Sequence, residues 1–181
     1  PDPDPVASML AVLDLAGSDA RTTEDIFTGV SQSMPLGRVY GGQVLAQSIV
    51  AAARTLPEDR VVHSMHGYFL RAGDSSRGLT FSVDRLRDGR SFSARRTQAY
   101  QDGEVLMSMI ASFQDDDQGV EHQEPVDLTG LAEPEELPSI WEKYGHLAGA
   151  DGRASWVLNR PFDFRYLESD IILDVAERTN K

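Results

Sequence analysis

Residues 41–55 read GGQVLAQSIVAAART, and they predict the central helix of the domain. After the two glycines, the segment from Gln43 to Thr55 places its polar residues on one narrow stripe and is otherwise Val, Leu, Ile or Ala. That pattern predicts a helix covered on most sides. Pro57 ends it, and its many alanines leave it thin enough for another layer to wrap closely around it. We therefore expect a curved sheet around one central helix.

The sheet is predicted by the strands that follow this helix. Residues 61–70 (VVHSMHGYFL) form one strand, and residues 79–114 divide into three more strands. Asp88-Gly89 and Asp102-Gly103 join those three, and Asp-Gly between two strand segments is a strong hairpin signal because both residues accept positive φ. The fold class is therefore α+β, a hotdog fold in which a curved antiparallel sheet wraps a long central helix.

This pattern places one hotdog domain at residues 6–114, with a short amphipathic helix over residues 6–15 at its edge. Residues 115–181 are predicted to be an acidic linker, with a short helix at residues 138–147 and a strand at residues 161–166. No closing element follows residue 171, so we expect the chain to continue into a further element that is absent here.

Composition narrows the functional classes. The net charge is −12, which excludes nucleic acid as a bulk partner because phosphate binding needs a basic field. There is no Cys, so thiol chemistry is excluded and a reducing cytoplasm is favoured. No apolar stretch reaches the length of a membrane span, so we expect no membrane partner. Residues 38–96 nevertheless carry ten Arg against five Asp and Glu, and this basic block suits a small polyphosphate.

Two histidines in the first predicted strand are candidates for chemistry. His63 and His66 are three residues apart, which on a strand places them on opposite faces and argues against a zinc site. The carboxylates of the ordered block are better explained structurally: Asp88 by a turn, Asp74 by a strand end, and Asp84 by an ion pair with Arg95 or Arg96. No acid–base dyad stands out.

The start of the central helix and the ends of the strands are the positions where a ligand is expected. Backbone N–H groups at Gly41 and Gly42 can polarise a carbonyl oxygen, although two glycines can equally serve only a tight turn. The arginines of the basic block are mostly assigned to solvated strand positions. Arg71 and Arg90, however, lie near strand ends, where loops gather a ligand.

Four motifs carry a resemblance to a known family. In order along the chain they are VYGGQVLAQ (residues 39–47), HSMHGYFLRAGD (63–74), RLRDGRSFSARR (85–96) and ASFQ (111–114). Their order and spacing resemble the first half of acyl-CoA thioesterases of the thioesterase II (TesB) type, with Ala72 where that family usually has Pro. The resemblance implies a double hotdog that hydrolyses acyl-CoA thioesters to free fatty acid and CoA.

The resemblance also implies where the site residues lie. The family's catalytic residues belong to the second hotdog, so none is assigned here and the isolated chain is expected to be inactive. His63 is the one weak catalytic candidate, and the substrate-binding candidates are Gly41, Gly42, Gln43, His63, Arg71, Arg90 and Gln114. No cofactor or metal is expected. The expected partners are acyl-CoA and a second hotdog, either in the same protein or in a partner subunit of a homo-oligomer.

Two other hypotheses about the function stay open at this point. A hotdog hydratase would need a His-Asp pair at the central helix, where this chain has Gly41-Gly42-Gln43. A non-catalytic acyl-CoA-binding or scaffolding module would fit a chain that ends at Lys181.

The meander also predicts an assembly edge, because its last strand, residues 105–113, is long and apolar.

Overall fold

A computed structural model describes residues 4–18, 23–147, 158 and 160–167. The α-helices whose bounds lie in this part of the chain are α1 (Pro5–Leu13), α2 (Gly41–Ala53) and α3 (Ile140–Tyr144). The strands are β1 (Ala16–Gly17), β2 (Asp25–Gly29), β3 (Arg60–Phe69), β4 (Leu79–Asp88), β5 (Phe92–Gln101) and β6 (Glu104–Asp115). Short 3₁₀ turns cover Pro134–Glu136 and Gly145–Leu147. None of the helices described is long and apolar enough to cross a membrane.

The six strands form one antiparallel sheet in the order β1-β2-β4-β5-β6-β3. The helix and the β4-β5-β6 meander confirm the predicted hotdog fold. The predicted assembly edge is wrong, because β6 pairs with β5 on one side and with β3 on the other. The open edge of the sheet on this side is therefore β3.

The core lies between α2 and one face of the sheet, here called the helix face. Buried residues from β4, β5 and β6 line that face, including Phe81, Ala99, Met107, Met109 and Phe113. On α2 the buried positions recur at helical spacing and include polar ones: Gln47 and Ser48 are completely buried, while Leu45, Ile49 and Val50 are half-buried. The opposite face of the sheet, with Ser108, Ile110 and Ser112 on β6, is the outer face.

The two hairpins differ in their turns. Between β5 and β6, Asp102 and Gly103 both adopt positive φ, at 51° and 82°, as the Asp-Gly signal predicts. The β4–β5 connection is three residues long, and the Gly89 N–H donates to the carbonyl of Phe92 with no positive φ at Gly89. Asp88 is therefore not part of a two-residue turn as predicted. Its carboxylate contacts Arg95 instead.

The chain divides near residue 119 into two compact units, Pro1–Gly119 and Val120–Lys181. In the described part of the second unit, Ile140 and Leu158 form a small apolar cluster with Tyr144, Phe164 and Tyr166. The predicted helix at residues 138–147 is confirmed as α3 and a 3₁₀ turn. The predicted strand at residues 161–166 is wrong, since only an isolated bridge joins Arg165 to Ser139. The predictions for residues 171–181 lie outside the described residues.

Candidate functional site

The start of α2 presents unpaired backbone donors. Tyr40 is the N-cap residue and makes no side-chain capping bond, and within the described residues neither Gly41 nor Gly42 has a partner for its N–H. A Cβ at Gly41 would lie 3.2 Å from Cζ of Phe69, and a Cβ at Gly42 would lie 2.5 Å from Cε1 of Tyr40. Both positions therefore favour glycine because aromatic rings pack directly against the helix start.

A cleft of about 370 Å³ opens at this helix start. Backbone pairing joins two segments at this cleft that are distant in sequence: the Val39 N–H donates to the Gly73 carbonyl at 2.9 Å, and a bridge joins Arg38 to Asp74. The lining is apolar apart from Arg71 and consists of Val39, Gly41, Val44, Phe69, Leu70, Arg71, Ala72, Gly73 and Leu106. The apolar side chains can contact an apolar part of a ligand, while Arg71 and the unpaired N–H groups can pair with an anionic or carbonyl oxygen.

Arg71 is held at the mouth of this cleft by the first residues of β6. Its Nε lies 3.1 Å from Oε2 of Glu104, and its Nη1 donates to the Val105 carbonyl at 3.1 Å. The backbone N–H of Arg71 donates to the Leu106 carbonyl at 3.2 Å. The structure thus brings Gly41, Gly42 and Arg71 to one end of the domain.

Gln43 has a different environment from its neighbours Gly41 and Gly42. Its Oε1 accepts from the Gln32 N–H at 3.0 Å, and its Nε2 donates to the Val30 carbonyl and to Oε1 of Gln47. Gln47 in turn donates to the carbonyls of Val12 and Val30. The buried carboxamide of Gln43 therefore fixes the preceding segment to α2, and its effect on the helix start is indirect.

The second group of candidates lies at the other end of β3. Nε2 of His63 is 2.8 Å from Oγ of Ser112, and its ring packs edge-on against Phe92 with centroids 5.8 Å apart. Gln114 pairs with Phe92 on one side and with Val61 on the other. Arg90 follows in the adjacent loop, where its carbonyl accepts from Nη2 of Arg60 at 2.7 Å. His63, Arg90 and Gln114 are thus neighbours.

The two histidines do not lie on opposite faces as predicted. A bulge between Val62 and Ser64 shifts the alternation at His63, which bonds to Ser112 on the outer face. His66 pairs with Ile110, which is also on the outer face, and its ring packs against Tyr68 at 4.9 Å. Across the described residues, no group of three or more potential ligands could hold a metal ion.

The two groups of candidates are far apart within this chain. Along the β3–β6 ladder, Val61 pairs with Gln114 at one end and Phe69 pairs with Met107 at the other. At a rise of roughly 3.3 Å per residue, these ends are about 26 Å apart. The carbonyl of one thioester bound to this chain therefore cannot lie within hydrogen-bond distance of both groups.

The charged residues of the sheet serve mainly the fold. The predicted pair between Asp84 and Arg96 is confirmed at 2.6 Å. The assignment of Arg95 to the solvated positions is wrong, because its side chain is only 1% exposed and donates to Thr55 at the end of α2. Ser76 hydrogen bonds lower the pKa of Asp74, as expected of a carboxylate that fixes a turn.

Some residues of the cleft carried no clear sequence signal. Phe69 and Leu106 were not singled out, since each looks like an ordinary strand residue. Glu104 was missed for the same reason. The signal that could have found it is position: it directly follows the Asp102-Gly103 turn, where a side chain reaches the end of the sheet.

Comparison with known proteins supports the fold described above. Residues 30–114 match the family profile described as the acyl-CoA thioesterase N-terminal domain. Acyl-CoA thioesterase 2 of Haemophilus influenzae is 44% identical over 143 residues, which cover 77% of this chain and 49% of that protein. The tesB protein of Mycobacterium avium subsp. paratuberculosis superposes with a TM-score of 0.62 at 36% identity, over 73% of this chain and 50% of that one. TesB2 of Mycobacterium marinum gives 0.60 at 40% identity, over 75% and 47%.

Fold and relatives together define a thioesterase domain with the hotdog fold. The chain belongs to the acyl-CoA thioesterase II (TesB-type) family and corresponds to its N-terminal hotdog. It spans about half the length of the relatives it matches.

Proposed function

We propose that the whole protein hydrolyses acyl-CoA thioesters and that this chain supplies one of two hotdogs that hold the substrate. In this reaction water adds to the thioester carbonyl and the C–S bond breaks, giving a fatty acid and coenzyme A. The observation that carries the proposal is the position of the two candidate groups at opposite ends of the open strand β3.

The open edge supports a second hotdog as partner. Val62, Met65 and Phe69 alternate along the helix face of β3, and all three are exposed, Phe69 by 59%. An exposed apolar edge strand is a template for pairing with another strand. The half-buried apolar side chains of α2 offer further surface for the same partner. The partner is a second hotdog of the same protein or of another subunit.

Pairing across β3 would also unite the two groups. If an equivalent strand pairs antiparallel with β3 near its middle, the His63 end of one hotdog lies beside the Phe69 end of the other. The helix start, the cleft and Arg71 of one hotdog would then face His63, Gln114 and Arg90, or their counterparts, from the partner. A complete site therefore requires both hotdogs.

This hotdog binds the acyl-CoA substrate and polarises its thioester carbonyl. The N–H of Gly42 can donate to the thioester oxygen as negative charge develops there. Arg71 and Arg90 supply guanidinium groups for the phosphates of coenzyme A. The carboxylates Asp74, Asp84 and Asp88 already serve a turn and two ion pairs, so we assign the activation of water to the second hotdog. The cytoplasmic location remains a prediction from composition.

Release of free coenzyme A by the full-length protein tests this function. Gly41→Ala should lower kcat/KM for a medium-chain acyl-CoA by roughly tenfold or more, since its Cβ would push the Phe69 ring and misplace the thioester. Gly119→Ala is the matched control, because nothing lies within 4 Å of its Cβ. No hydrolysis of any acyl-CoA, or an unchanged rate in Gly41→Ala, would contradict the proposal.

A further inference from the structure

Glu104 is an acidic side chain placed against the one cation of the cleft lining. Its Oε2 lies 3.1 Å from Nε of Arg71, while Nη1 of Arg71 donates to the Val105 carbonyl. A polyanionic ligand that reaches Arg71 must therefore share its guanidinium with a carboxylate. In a binding site for coenzyme A, this carboxylate opposes the ligand.

The backbone around this pair holds the two residues within reach of each other. Glu104 begins β6 directly after the positive-φ turn Asp102-Gly103. The buried side chain of Gln101 accepts from the Asp74 N–H at 2.7 Å and donates to the Asp74 carbonyl at 2.9 Å. Because these bonds tie the hairpin to the loop that follows Arg71, the Glu104 carboxylate stays at the cleft mouth.

We propose that Glu104 is a specificity-determining residue that weakens binding of the phosphate-bearing part of a coenzyme A thioester by competing for Arg71. This inference rests on the proposed function. The side chains of Arg71 and Glu104 are 53% and 66% exposed, so water screens the pair and a phosphate can displace the carboxylate. Displacing the carboxylate cancels part of the free energy that the phosphate gains from Arg71. Free coenzyme A, which keeps all its phosphates after hydrolysis, is thereby released more readily.

Calorimetry of coenzyme A binding to the full-length protein tests the proposal. Glu104→Gln should tighten binding by about two- to fivefold, the range expected when one exposed ion pair no longer competes. Binding of pantetheine, which has no phosphate, should not change. Asp102→Asn is the matched control because it removes the same charge two residues away. Asn tolerates the positive φ of this position, and Asp102 contacts Arg77 and not Arg71.

A double variant shows whether Glu104 acts through Arg71. In an Arg71→Ala background, Glu104→Gln should leave the affinity for coenzyme A unchanged. Unchanged or weaker binding by Glu104→Gln alone overturns the proposal, as does an equal gain in Asp102→Asn or in the Arg71→Ala background. These readouts need no hydrolysis. Wild-type protein that binds coenzyme A but cannot hydrolyse acyl-CoA contradicts the proposed activity alone, whereas wild-type protein that does not bind coenzyme A contradicts both.

Discussion

Nη2 of Arg95 lies 2.6 Å from Oδ1 of Asp88, although Arg95 is buried beneath the end of α2 and the Asp88 side chain is largely exposed. The same guanidinium donates to Oγ1 and to the carbonyl of Thr55, and also to the carbonyl of Arg87. A positive charge at a helix C-terminus is stabilised by the helix dipole. Arg95 therefore joins the end of the central helix to the β4–β5 hairpin.

Replacing this arginine should destabilise the domain. Arg95→Met keeps much of the side-chain volume but removes the guanidinium donors to the carbonyls of Thr55 and Arg87, so the free energy of unfolding should fall by about 2–3 kcal/mol. Urea unfolding of the purified protein measures this loss. Arg96→Met is the matched control, since it removes the neighbouring exposed pair with Asp84 and should cost less than about 1 kcal/mol. Equal losses in the two variants would show that Arg95 has no special role.

Acid should weaken the same contact. The Arg95 hydrogen bond, with a second from Ser93, lowers the pKa of Asp88 below its usual value of 3.8. A carboxylate whose pKa is lower in the folded state contributes stability above its unfolded pKa of about 3.9 and loses it as the pH falls through the folded pKa. The gap in urea midpoint between wild type and Asp88→Asn should therefore be widest near neutral pH and narrow towards pH ~3. A gap that stays constant with pH would show that ionisation of Asp88 does not matter.

A charge on the open edge should disturb assembly. Met65→Lys places an ammonium on the helix face of β3, where we propose that a second hotdog packs. Hydrogen exchange of the β3 amides in the full-length protein should speed up, and acyl-CoA hydrolysis should fall by roughly tenfold or more. Val126→Lys, at an exposed position outside the sheet, is the control and should change neither. Unchanged exchange and hydrolysis in Met65→Lys would remove β3 from the interface.

The local features of this fold could be predicted from the sequence, whereas contacts between segments distant in sequence could not. The helix α2 and the Asp102-Gly103 turn follow from spacing and from residue types that accept positive φ. The pairing of β3 with β6 is a contact between strands distant in sequence, and periodicity does not encode it. The burial of Gln47 has the same origin, because its partners Val12 and Val30 come from remote segments.

The sequence singled out candidate site residues, but it did not give their arrangement. Gly41 and Arg71 line one cleft, whereas the sequence placed them only at a helix start and at a strand end. The separation of His63 from them needed the strand register. The outward position of His63 also needed the bulge, because one extra residue reverses the alternation on which the prediction of opposite faces relied.

The most direct test of the central claim compares this 181-residue chain, made alone, with the full-length protein. The readout is release of free coenzyme A from a medium-chain acyl-CoA, with His63→Ala measured beside both. We expect robust turnover by the full-length protein and negligible turnover by the isolated chain, because we assign water activation to the second hotdog. Robust turnover by the isolated chain that disappears in His63→Ala would contradict this assignment and make this hotdog a catalyst by itself.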